Sequence, residues 1–88
     1  MRYRIEISPA ARRALKPLDA QNAARLTVAF ELLARDPRPP ASRPLRGRPA
    51  FRLRVGDYRV IYTIDDGVLV VVVIALGHRR DVYHNIDT

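Results

Sequence analysis

The twelve residues from Phe51 to Tyr62 constrain this chain most, because they specify both a turn and a register. Phe51-Arg52-Leu53-Arg54-Val55 alternates apolar and cationic side chains at the period of a strand, and Tyr58-Arg59-Val60-Ile61-Tyr62 follows after Gly56-Asp57. Glycine at the first central position of a two-residue loop predicts a type II′ turn, whose twist matches the flanking strands. That turn sets Val55 opposite Tyr58, Arg54 opposite Arg59, Leu53 opposite Val60, Arg52 opposite Ile61 and Phe51 opposite Tyr62. One face then carries Phe51, Leu53, Val55, Tyr58, Val60 and Tyr62, all core material. The other carries Arg52, Arg54 and Arg59, with two arginines directly opposed. Like charges facing each other destabilise a sheet. Two readings are open: a solvated face, as most charge runs are, or a polyanion site, which the facing pair favours.

Upstream, Arg2 to Ile7 alternates Tyr3, Ile5 and Ile7 against Arg2, Arg4 and Glu6, which predicts a half-buried strand. Ser8-Pro9 predicts a helix start, serine as N-cap and proline in the first turn. Ala11, Ala14, Leu15 and Leu18 form its apolar stripe, and Pro17 ends it early. A second helix is expected from Ala20 to about Arg35, capped by Asp19, with Ala23, Leu26, Phe30 and Leu33 inward. Asp36-Pro37 closes it, since the residue before proline avoids helical geometry. Pro37 to Pro49 holds five prolines and four arginines and is expected to be an extended loop. It reads either as a connector or as a basic flap over the arginine face, with Leu45 and Ala50 pinning it to the body.

Downstream, Asp66-Gly67 predicts a type I′ turn that pairs Asp65 with Val68. Val68 to Leu76 is apolar on both faces and is therefore expected to be a central strand. In this register Leu69, Val71, Val73 and Ala75 join the core face, while Val70, Val72 and Ile74 floor the other face beside the arginines. A one-residue shift would exchange the two sets.

The chain of 88 residues is expected to form one α+β domain, residues 1–88: N-terminal strand, helical hairpin, then a three-stranded antiparallel meander, with the helices on one face of the sheet. Without cysteine it has no disulfide framework and no thiolate metal site, and two histidines are too few for a metal centre. No segment resembles a signal peptide or a membrane span, so a cytoplasmic protein is the expectation. Fifteen arginines and one lysine against nine carboxylates give a net charge of +7. That balance predicts attraction to nucleic acid or to an acidic protein, although arginine excess also follows from GC-rich coding.

The candidate constellation is Arg52, Arg54, Arg59, His78, Arg79 and Tyr83. No carboxylate cluster suits metal-dependent hydrolysis, and Ser8 and Ser42 sit at a cap and in a loop. Metal-free chemistry on a phosphate is left, if the chain does chemistry at all: arginines would bind the phosphate and stabilise the charge that builds on it. Tyr83 or His78 could move the proton. Each also has a plain structural reading, Tyr83 as an anchor of the C-terminus and His78 as an exposed turn residue.

Leu-Arg-Val-Gly-Asp-Tyr-Arg-Val-Ile-Tyr at 53–62 and Gly-His-Arg-Arg-Asp-Val-Tyr at 77–83, in this element order, resemble the RelE/ParE toxin superfamily, closest to the RelE branch of type II toxin–antitoxin modules. The resemblance implies a metal-independent, cofactor-free endoribonuclease that cuts mRNA in the ribosomal A site and inhibits translation. By motif position it implies Arg59, Arg79 and Tyr83 as catalytic residues, with Arg52 and Arg54 in the basic row that binds substrate and His78 beside it. Arg52 falls where the best-studied branch often has lysine. The implied partners are the ribosome with its mRNA and a cognate acidic antitoxin, through which alone operator DNA would be reached. The alternatives are a ParE-like toxin that inhibits DNA gyrase, or a catalytically weak member that acts mainly by binding its antitoxin.

Overall fold

The computed structural model describes residues 2–78. The strand predicted at the N-terminus is β1 (Arg4–Ile7), with Ile5 and Ile7 half-buried and Arg4 and Glu6 exposed. Helix α1 (Pro9–Leu15) starts as the sequence requires: Ser8 Oγ accepts the Ala11 N–H at 3.1 Å and Pro9 opens the first turn. Helix α2 (Ala20–Arg35) has the predicted bounds, and its backbone turns extended at Asp36, before Pro37. Asp19 stands at the N-cap position, but its carboxylate accepts the Asn22 side-chain amide at 2.7 Å, not a helix N–H.

Strands β2 (Arg43–Pro44), β3 (Phe51–Val55), β4 (Tyr58–Asp65) and β5 (Val70–His78) complete a five-stranded sheet in the order β1-β5-β4-β3-β2. The meander β3-β4-β5 is antiparallel, and β1 joins it by pairing parallel to β5. Both helices pack on one face. There Ala11, Leu26, Ala29 and Leu33 meet Leu53, Val60, Tyr62, Val71, Val73 and Leu76, all buried. This is the α+β architecture expected from the element order. The β3–β4 register is as predicted from Val55↔Tyr58 to Phe51↔Tyr62, with Gly56 at φ +59° as the turn demands.

Four expectations are corrected. The proline-rich segment is not wholly a loop: Arg43 and Pro44 pair with Arg52 and Phe51 as an edge strand, where proline's missing N–H can face away from the ladder. The β4–β5 turn is longer than two residues. Asp65 pairs with Val70, not Val68, because the Asp65 carboxylate accepts the Gly67 and Val68 N–H groups at 2.9 and 3.2 Å. Leu69 takes a left-handed φ of +57° and so belongs to the turn, not the core face. The two-residue slip preserves facing, so Val71 and Val73 do enter the core as expected. Ala75 does not, because a bulge follows: Tyr62 pairs with Val73 while Ile61 pairs with Ala75, leaving Ile74 as the extra residue. Beyond it Leu76 faces the helices, and Ala75 joins Ile61 and Ala50 in a second small cluster on the opposite face, with Leu45 and Ile74 against it. Leu45 and Ala50 thus pin the proline-rich segment to the sheet.

Candidate nucleic-acid interface

Alternation along β3 and β4 sends Leu53 and Val60 to the helix side, and Arg52, Arg54 and Arg59 to the other. Arg54 and Arg59 are Cα partners, so two guanidinium-bearing positions stand across one ladder rung, about 5 Å apart at the backbone. Arg54 is exposed, whereas Arg52 and Arg59 are half-buried, with the Arg59 Nε buried. Burial of Nε restricts the freedom of the Arg59 guanidinium.

The ladder also supplies a cation that local sequence pattern puts in a loop. Arg43 is the Cα partner of Arg52, which puts it on the same face and makes a second facing pair of arginines. No local pattern announces this, because a two-residue strand rich in proline has no periodicity of its own. A fifth arginine comes from α2. An added Cβ on Gly56 would lie 3.3 Å from Arg25 Nη1, so Arg25 reaches the tip of the β3–β4 turn from the helix side.

His78 pairs with Tyr58 and meets its ring edge-on, centroids 6.1 Å apart. Tyr58 faces the helix side, so the structure places His78 at the end of β5 on the face opposite the three arginines. Arg79 and Tyr83 lie outside the described residues. Gly77, two residues before Arg79, is the Cα partner of Arg59. Among the described residues no cluster of His, Cys, Asp or Glu is arranged to hold a metal ion.

A polar cluster braces the far end of the sheet. Arg38 donates to both oxygens of Asp66, at 2.9 and 3.3 Å, and Tyr3 Oη donates to Asp66 Oδ1 at 2.5 Å. The Arg38 guanidinium holds the Asp66 carboxyl below its ordinary range, with Tyr3 helping, and the Tyr3 phenol is pushed up by its bond to Asp66. Arg38 also lies over the Phe51 ring, 5.6 Å from its centroid, and Phe51 stacks on Tyr62. Tyr62 is fully buried and donates to the Pro37 carbonyl at 2.8 Å; burial raises its pKa. Sequence pattern places both Asp65 and Asp66 in the turn. Asp65 is used so, but Asp66 ties the turn to β1 and to the proline-rich segment.

Comparison with known proteins agrees with this fold. A family model described as the ParE toxin of the type II toxin–antitoxin system parDE matches residues 5–83. Toxin RelG of Mycobacterium tuberculosis is 38% identical over 86 residues, covering 94% of this chain and 98% of the relative. The solved toxin–antitoxin complex RelBE2 from the same organism contains a chain 34% identical, with a TM-score of 0.75, covering 90% of this chain and 100% of that one. A chain of the archaeal RelE–RelB complex from Pyrococcus horikoshii is 29% identical, with a TM-score of 0.82, covering 92% and 99%.

Proposed function

Since the chain belongs to the RelE/ParE toxin superfamily, we propose that it is the toxin of a type II toxin–antitoxin module and a metal-independent endoribonuclease that cuts mRNA in the ribosomal A site. The observation that carries the reading is the opposed pair Arg54–Arg59 on the face of the sheet away from the helices. Such a pair stores repulsion that a phosphodiester relieves, and its guanidinium groups match phosphate oxygens in bidentate fashion. In the proposed reaction the ribose 2′-hydroxyl attacks the adjacent phosphorus and the bond to the 5′-oxygen breaks. The products are a cyclic phosphate and a free 5′-hydroxyl. Arg59 holds the non-bridging oxygens as negative charge grows on them; Arg52 and Arg54 carry the neighbouring backbone. Arg79 is assigned to the leaving side and Tyr83 to substrate orientation and proton transfer, from their place in the 77–83 motif. His78, on the face opposite the arginines, is left out of the proposed substrate contacts.

An antitoxin partner is part of the proposal. RelE-type relatives have been solved in complex with RelB antitoxins, and the +7 charge here suits an acidic wrapping segment.

A second reading has its own support, since the matching family model is that of ParE, and the resemblance ties that branch to gyrase inhibition. Inducing the chain and mapping mRNA 5′ ends separates the two. Cuts within codons of translated messages are expected, and Arg59→Ala should remove them. Intact mRNA together with DNA damage and an SOS response would replace the nuclease reading with the gyrase one.

A further inference from the structure

We propose that Arg43 is a further contact for the RNA backbone and that Asp66, acting through Arg38, is the positioning residue that holds it beside Arg52. The inference rests on the reading of the arginine face as a polyanion site. Its first support is the second facing pair, Arg43↔Arg52, which repeats across β2–β3 the arrangement of Arg54↔Arg59 across β3–β4. Two residues of pairing give little hold against that repulsion. Leu45, packed with Ala50 and donating its N–H to the Ala50 carbonyl at 2.8 Å, holds β2 from its C-terminal side, and a second brace reaches it from the N-terminal side.

The brace is continuous from the far end of the sheet to Arg43. Asp66 fixes Arg38, and Tyr62 holds the Pro37 carbonyl next to it. Pro37, Pro39 and Pro40 lock their φ angles, so the segment transmits a displacement instead of absorbing it. The Pro39 carbonyl then accepts both Ser42 N–H and Ser42 Oγ, at 2.9 and 2.8 Å. Arg43 Nη1 donates to the Pro40 and Ser42 carbonyls, both at 2.8 Å. These two bonds use one nitrogen of the exposed guanidinium. Its other edge, Nε and Nη2, has the fork geometry that suits a phosphate.

The test is fluorescence anisotropy of the full chain with a labelled single-stranded RNA, protected from cleavage by 2′-O-methyl groups, over a salt series. Arg43→Ala should weaken binding by roughly fivefold at low salt and reduce the slope of log affinity against log salt by about 0.7. Asp66→Asn gives a decisive sign. By charge alone, removing a carboxylate tightens RNA binding; through the brace, it weakens binding, and by no more than Arg43→Ala does. Combined with Arg43→Ala it should add nothing, a coupling that mere loss of stability would not produce. Tyr3→Phe, which changes no charge, should weaken binding to a smaller degree and serves if Asp66→Asn folds poorly. An unchanged salt slope in Arg43→Ala, or tighter binding by Asp66→Asn, overturns the inference and leaves the Arg54–Arg59 site standing. Absence of salt-dependent RNA binding by the unsubstituted chain overturns both.

Discussion

At the residue scale, Arg59 and Tyr62 divide one strand between the proposed chemistry and support. Arg59 faces Arg54, so its replacement removes a repulsion as well as the proposed phosphate contact. Arg59→Ala is expected to lower the cleavage rate by about two to three orders of magnitude while leaving urea stability within about 1 kcal/mol. Programmed ribosomes and equilibrium unfolding measure the two effects separately. Tyr62 faces the other way, fully buried, with its hydroxyl on the Pro37 carbonyl. Tyr62→Phe should cost about 1–2 kcal/mol, because a buried acceptor loses its donor. Burial holds the folded-state pKa of this phenol above its ordinary value of 10.0. The resulting stability is present below that pH and is lost as pH rises through the folded value. Tyr62→Phe should therefore remove part of the alkaline fall in stability, readable in melts from pH 9 to pH 12.

At the element scale, the join between β1 and α1 also fixes the bulge in β5. Ser8 Oγ accepts the Ala11 N–H and donates to the carbonyl of Ile74, the extra residue of the bulge, at 2.9 Å; the Ser8 N–H donates to Val73. Ser8→Ala is expected to cost about 1–2 kcal/mol, more than a helix cap alone would suggest, because two side-chain bonds go together. Hydrogen exchange should show lost protection at both Ala11 and the β5 bulge. Protection lost only in α1 would reduce Ser8 to a cap. The cap was legible in Ser8-Pro9, since a helix start is a local event. The bulge was not, because its extra residue, Ile74, is held by Ser8 from 66 positions away in the chain.

At the scale of the whole molecule, the Asp66 cluster joins the β4–β5 turn, the start of β1 and the proline-rich segment. Its carboxyl is held below the ordinary value of 3.8, chiefly by Arg38. The stability it gives is present above that pH and is lost as pH falls through the lower folded value. Melting temperature should drop on acidification for the unsubstituted chain and change less for Asp66→Asn over the same interval. No helix among the described residues is long and apolar enough to cross a membrane. The sequence by itself determined the β3–β4 hairpin, its register, the bounds of α2 and the arginine face, because each rests on contacts within a few residues and on strict alternation. Only tertiary structure decided that β1 runs parallel to β5, that Ala75 leaves the core, that Arg43 pairs with Arg52 and that Asp66 reaches Arg38. Those contacts join residues far apart in the chain. They are selected by how the whole sheet closes around its core, a choice that no window of sequence contains.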